Sequence, residues 1–203
     1  LNACTKERFT DSPSVKLSFE TDTITFDTVF TNVGSTTQYF KIYNRENKSV
    51  RVNSIELGGG EKSLFRINVN GTPTLLAEDV VVGANDSLYI FVEVTVDPNE
   101  EDLPFLAVDS IMFNTNGNLQ KVDLVAYGQN ANYYSNVSFC DEVLTNQRPY
   151  LLYNRIDVAE GCTLTIKEGV RMHMHPRSNI NVFGTLIIEG TKDSLVTFQG
   201  CLL

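Results

Sequence analysis

From Leu88 to Val96 the chain alternates without a break, with Leu88, Ile90, Val92, Val94 and Val96 on one parity and Tyr89, Phe91, Glu93 and Thr95 on the other. A period of two over so long a run suits a strand with one buried face and no amphipathic helix. Phe65, Ile67 and Val69 repeat the pattern against Leu64, Arg66 and Asn68. Val50 and Val52 share a face with Ile55 and Leu57 only if the parity slips between them, which predicts a bulge near Asn53-Ser54. Asn116-Gly117, set between Ser110-Ile111-Met112-Phe113 and the run from Leu119 to Leu124, predicts a two-residue hairpin, because both central residues of a type I′ turn need positive φ.

Further strands are expected near 15–20, 25–31, 38–44 and 120–127, and no stretch carries a convincing helical period. Regular short strands separated by turns predict an all-β chain that begins with an immunoglobulin-like β-sandwich over residues 15–128. Residues 1–14 are polar and read as a tether, too poor in apolar side chains to fold. Residues 129–147, rich in Asn, Tyr and Ser, read as a connector.

A different periodicity follows. Ile156-x-Val158 and Leu164-x-Ile166 recur as Ile180-x-Val182 and Leu186-x-Ile188, an offset of about 21 to 24 residues, the length of one turn of a stacked solenoid. Residues 148–203 are therefore expected to start a short parallel β-helix (solenoid) segment. Barely two or three turns fit before Leu203, while each strand of such a stack needs a neighbour above and below. Either the solenoid continues in a longer protein, or a partner or the sandwich covers its last turn.

Three resemblances add to this reading. Phe26-Asp27-Thr28-Val29-Phe30, Gly34-Ser35-Thr36, Phe40-Lys41-Ile42-Tyr43-Asn44 and the segment from Ile55 to Phe65-Arg66-Ile67 resemble the ASH-type immunoglobulin-like domains of Bacteroidetes-type lipoproteins. Thr163-Leu164-Thr165-Ile166 with Gly169, Val182-Phe183-Gly184-Thr185-Leu186 and Val196-Thr197-Phe198-Gln199-Gly200 resemble the opening coils of right-handed parallel β-helix proteins. Leu1-Asn2-Ala3-Cys4 resembles the end of a bacterial lipoprotein signal peptide, which implies a lipid on Cys4 and a membrane partner reached through it. The localisation implied is the cell envelope, as an outer-membrane lipoprotein on the surface or the periplasmic face. A lipid anchor of this kind needs no inserted protein segment, and no run of about twenty apolar residues offers a spanning helix.

Of the 203 residues 42% are apolar, enough for a packed core, and the formal net charge is -9. That charge, with no basic cluster, argues against a nucleic-acid partner, whose phosphates it would repel. With Cys4 set aside, Cys140, Cys162 and Cys201 lack metal-ligand spacing, so no zinc site is expected. A disulfide such as Cys140 to Cys162 and isolated buried thiols both remain open, because geometry decides between them.

No catalytic constellation is legible and no cofactor is expected. His173 and His175 stand two apart, the minimum for a metal pair, but a third ligand is missing. Gly58-Gly59-Gly60-Glu61-Lys62-Ser63 has the outline of a phosphate loop, yet Glu61 replaces the glycine before Lys and no helix follows, so it reads as a loop between strands. Asp97-Pro98-Asn99-Glu100-Glu101-Asp102 gathers acid without calcium-loop spacing. The candidate ligand-binding residues are Tyr39, Tyr43, Tyr89 and Phe91, aromatic side chains on the outward parity of two strands, suited to stack on sugar rings or to pack against a neighbour. Asp22-Thr23-Ile24, Asp27-Thr28-Val29, Asp86-Ser87-Leu88, Asp109-Ser110-Ile111 and Asp193-Ser194-Leu195 resemble acceptor sites for O-glycosylation in exported Bacteroidetes-type proteins.

The function expected is that of a non-enzymatic envelope lipoprotein, its sandwich a spacer or interaction module for a β-helix that contacts glycan or envelope protein. The alternative is the anchoring N-terminal part of a carbohydrate-active, polysaccharide lyase-like β-helix enzyme whose catalytic coils lie elsewhere.

Overall fold

The computed structural model describes residues 8–31, 33–96 and 104–200, and Cys4, Cys201 and the acidic loop at 97–102 lie outside them. Among the described residues the regular structure is β-strand throughout, apart from one 3-10 turn at Gly60–Lys62. The chain divides into two compact units, one holding residues up to 96 together with 105–128, the other the residues from 129 onward.

The first unit is a β-sandwich. One sheet runs in the order β1 (Phe9–Thr10), β5 (Ser49–Leu57), β10 (Phe105–Thr115), β11 (Asn118–Gln129) and β3 (Thr23–Phe30), with β8 (Leu76–Val82) also paired to β5. The other runs β2 (Ser18–Phe19), β4 (Gln38–Tyr43), β9 (Ser87–Val94), β6 (Phe65–Val69) and β7 (Thr72–Thr74). One apolar cluster joins the two inner faces, with Phe26, Phe40, Ile42, Ile55, Phe65, Ile90, Val92, Ile111, Phe113 and Leu124 inside it. Burial of these side chains is the main favourable term holding the sheets together.

Local sequence explains the details. Against β5, the register of β10 passes from Asn114 opposite Ser54 to Thr115 opposite Val52, so Asn53 is the extra residue of a bulge. That slip lets Val50 and Val52 share the core with Ile55 and Leu57. Thr115 pairs with Asn118 across Asn116 and Gly117, whose φ values of 51° and 81° are those of the predicted hairpin turn. Asn44, only 2% exposed, directly follows β4 and sends its amide to the carbonyls of Lys48, Val82 and Gly83 at 2.8, 3.1 and 2.7 Å. Its Oδ1 accepts the Glu46 N–H at 3.0 Å, so one side chain ties two turns to a strand end.

The described part of the expected tether is tied down. Phe9 and Thr10 pair in parallel with Ser49 and Val50. The Asn116 amide donates to the carbonyls of Thr10 and Ser12, and the Asn118 amide to those of Pro13 and Val15. The segment is too polar to fold by burial, but backbone carbonyls serve these two turn-flanking asparagines whatever the local side chains are.

The second unit is built from parallel pairs. In one sheet β12 (Asn132–Phe139), β14 (Tyr150–Val158), β16 (Arg171–Met174) and β19 (Thr197–Gly200) stack in order, and β17 (Asn179–Val182) also pairs with β14. In another, β13 (Glu142–Leu144), β15 (Thr163–Ile166) and β18 (Thr185–Ile188) stack in the same sense. The sequence repeat is the register itself: Ile156 pairs with Ile180, Val158 with Val182, Leu164 with Leu186 and Ile166 with Ile188. Phe139, Leu144, Tyr150, Leu152, Ile156, Val158, Leu164, Ile166, Val170 and Met172 form its core.

The stretch expected as a connector, 129–147, differs from that expectation. It supplies β12 and β13, which pair with β14 and β15. Tyr134 stacks on Tyr150 with centroids 6.1 Å apart and meets Phe139 edge-on at 5.1 Å. The register slips where Asn136, φ 52°, stands opposite both Asn154 and Arg155 of β14, and this break in the alternation hides the strand from a period-two reading. Cys140 and Cys162, 22 residues apart, form a disulfide with Cα atoms separated by 4.7 Å, which links the corner after β12 to the corner before β15. A Cβ on Gly184 would collide with the carbonyl oxygens of Ala159 and Cys162 at that corner, which glycine alone avoids.

Candidate ligand-binding face

Strand register gathers outward side chains on the second sheet of the sandwich. Tyr39 on β4 pairs with Phe91 on β9, Phe91 with Asn68 on β6, and Asn68 with Pro73 on β7, giving one row across four strands. The neighbouring row on one side sets Lys41 opposite Tyr89, and on the other Arg66 opposite Glu93. Phe40, Ile42, Ile90 and Val92 fill the core from the same strands, so the outward aromatic side chains are not needed there.

Three of the four candidate residues come together. Tyr39 lies 5.8 Å from Tyr89 and 6.0 Å from Phe91 between ring centroids, and Tyr89 stacks on Phe91 at 6.0 Å with 21° between planes. Tyr39 is 59% and Tyr89 40% exposed, so the cluster presents ring faces to solvent. Tyr43 takes another role: it pairs with Ser87, and the Arg45 guanidinium lies 4.3 Å over its ring. Lys41 extends its ammonium 4.8 Å from the Tyr89 centroid, and the neighbouring Tyr89 side chain raises its pKa above the usual lysine value.

Beside the rings is a cleft of about 270 Å³ lined by Thr37, Arg66, Asn68, Pro73, Phe91 and Glu93. The Thr37 hydroxyl donates to Glu93 Oε1 at 2.6 Å and holds that carboxylate in place. Arg66 turns Nη1 back onto the carbonyls of Ser63 and Phe65 at 2.6 and 2.7 Å. Asn68 Oδ1 is buried without a hydrogen-bond partner, the kind of polar atom that folded proteins rarely leave unsatisfied. An exposed aromatic cluster, with Tyr89 and Phe91 near parallel and Tyr39 tilted against them, beside carboxylate, amide and hydroxyl groups is suited to a ring with one apolar face and hydroxyls at its rim.

Sequence reasoning found the rings and missed the polar wall. A signal existed: Thr37 stands two before Tyr39, Glu93 two after Phe91, and Arg66 and Asn68 occupy the outward parity of β6. What the sequence lacked was the spatial order β4, β9, β6, β7, which brings these residues to one place.

The other candidates take structural positions. His173 pairs with Gln199, whose side chain lies 3.0 Å from the ring, and His175 stacks on Tyr153 at 4.5 Å. Among the described residues no group of three His, Cys, Asp or Glu side chains is placed to hold a metal. In the glycine-rich loop, the Asp109 carboxylate accepts from the Gly59 N–H, the Ser63 hydroxyl and the Ser110 N–H. Asp27, Asp86 and Asp109 each accept the N–H of the following residue at 2.7 to 2.8 Å, Asp86 just before the start of β9 and Asp27 and Asp109 within β3 and β10. Thr23 and Thr28 are exposed, while Ser87, Ser110 and Ser194 are half-buried. No described helix is long and apolar enough to cross a membrane.

No known protein-family model matches the chain. A stretch of 105 residues is 34% identical to Protein bark beetle of Drosophila melanogaster, covering 47% of this chain and 3% of that protein. Among solved structures, a family 123 glycoside hydrolase from Clostridium perfringens superimposes on 56% of this chain and 25% of its own at 9% identity, TM-score 0.40. The ASH / PapD-like domain 7 of human CEP192 does so on 59% and 88% at 10% identity, TM-score 0.35. A protein of unknown function from Porphyromonas gingivalis covers 62% and 60% at 7% identity, TM-score 0.39. Likeness of this degree assigns neither activity nor ligand to this chain, and the sandwich rests on strand pairing and core alone.

Proposed function

We propose that this chain is a non-enzymatic cell-envelope lipoprotein, tethered through lipid on Cys4, whose immunoglobulin-like sandwich is an interaction module that contacts glycan. Its second unit is the opening of a parallel β-helix, a reading supported by stacked parallel pairs with offsets of 22 and 24 residues between bonded partners. The observation that carries the binding role is the exposed cluster of Tyr39, Tyr89 and Phe91 beside a polar cleft. Aromatic rings that the core does not require, set next to fixed acceptors, favour a sugar over a featureless apolar partner.

The test is a glycan array probed with the full chain and with Tyr39→Ala and Phe91→Ala. Retention of particular glycans by the parent chain, weakened in both variants and without release of unsaturated products, supports the proposal. Absence of retention, or retention that both variants keep, refutes this face as the site. Labelled palmitate incorporated by the parent and not by Cys4→Ser tests the tether separately.

A further inference from the structure

Resting on the glycan reading above, we infer that Glu93 and Arg66 are the specificity-determining pair of this face and select sugars that carry two adjacent unsubstituted hydroxyls. Glu93 on β9 pairs directly with Arg66 on β6, so a carboxylate and a guanidinium stand side by side on the outward face. Their row lies two residues along the strands from the row of Tyr39 and Phe91, about 7 Å away at the rise of an antiparallel strand. Both residues are exposed, and both line the cleft beside Phe91.

The two charges do not satisfy each other. Among the described residues no ion pair joins Arg66 to Glu93. The Thr37 hydroxyl holds Glu93 by Oε1, and the carbonyls of Ser63 and Phe65 hold Arg66 by Nη1. Each side chain is thus fixed at one atom and keeps others for a ligand: Glu93 Oε2 only accepts, and Arg66 Nε and Nη2 only donate. A lone acceptor beside a lone donor matches a hydroxyl pair. One hydroxyl accepts from Arg66 and donates to its neighbour, which donates to Glu93. Such a chain runs in one direction, is charge-assisted at both ends and strengthens along its length. An ether oxygen has no hydrogen to pass on and an acetamido nitrogen accepts none, so either substituent breaks it. The pair carries no net charge, so the hydroxyl relay, and not the charge of the sugar, sets the preference.

The test is affinity electrophoresis of the full chain in native gels that hold one of four polymers. Deacetylated glucomannan and pullulan keep adjacent 2- and 3-hydroxyls on internal residues, whereas internal residues of laminarin and glycol chitin have no such pair. At least one of the first two is expected to retard the chain, with the second two weaker by about tenfold or more, the size of one hydrogen bond to a charged group. Glu93→Gln and Arg66→Met are each expected to weaken that retardation about tenfold. The double variant should lose far less than the product of the two, because both changes break one chain. Urea midpoints check Arg66→Met for damage from its lost contacts with Ser63 and Phe65, and Glu93→Gln decides by itself if that variant unfolds. Retardation by laminarin or glycol chitin equal to that by the diol polymers and still lost in Tyr39→Ala, or independent losses in the two variants, overturns the relay and leaves the glycan reading intact. Retardation by neither diol polymer also overturns the relay, and retention on the array then decides the glycan reading separately.

Discussion

Tyr39 and Phe91 stand directly across from one another on β4 and β9, with ring centroids 6.0 Å apart on the outer face of the sandwich. Their chain neighbours Phe40 and Ile90 point the other way and are buried. Tyr39→Ala should therefore cost less than about 1 kcal/mol of stability, as surface changes do, and Phe40→Ala about 3–5 kcal/mol from the cavity it opens. Urea denaturation of both variants checks this. A Tyr39→Ala loss approaching that of Phe40→Ala would mean that the outer rings serve packing.

Asn44 is a second point where one side chain carries much. Its amide meets three carbonyls and its Oδ1 a backbone N–H at 2% exposure. Asn44→Ala strands those groups and should destabilise by about 2–3 kcal/mol, the penalty for unsatisfied buried polar groups. Asn44→Asp keeps the acceptor and loses the donors, so it should recover little. Midpoints in urea for the two variants decide the matter, and recovery by the aspartate would show that only the Glu46 contact counts.

The Cys140–Cys162 disulfide closes a segment of 22 residues in the second unit. Its removal by Cys140→Ser with Cys162→Ser should cost about 2–4 kcal/mol by freeing the unfolded chain. Hydrogen exchange should rise first in β12, β13 and β15 and leave the sandwich protected. Uniformly raised exchange in both units would contradict a staple local to the second.

Burial, followed by the charge of Arg171, lowers the pKa of His173 from its ordinary 6.5. On acidification the unfolded chain takes up the imidazole proton first, so this contribution to stability is complete above about pH 6.5 and is lost as pH falls towards the folded pKa. Between pH 7.5 and 5.5 the parent should lose more stability than His173→Gln. A parent that gains on the variant over that interval would reverse the sign.

The extent to which the fold is legible in the sequence follows from where local pattern decides structure. The run from Leu88 to Val96, the slip at Asn53 and the Asn116-Gly117 turn are local, and each is found where the pattern places it. The repeat from Ile156 to Ile188 is legible because stacked strands copy their inward residues. β12 is not, since its inward positions include Tyr134 and its alternation breaks at Asn136. The candidate site is half legible. Outward parity marks Tyr39, Tyr89 and Phe91, but only the pairing of β9 with β6 brings Arg66 and Asn68 beside them.

The most direct measurement is a two-dimensional amide spectrum of the full chain, titrated with a glycan that it retains on the array. Shifts confined to Thr37, Tyr39, Asn68, Phe91 and Glu93 and their neighbours are the expected result. Shifts that instead gather on the second unit, around Asp157 and Asn181, or no shift with any saccharide tried, would contradict glycan binding by the sandwich face.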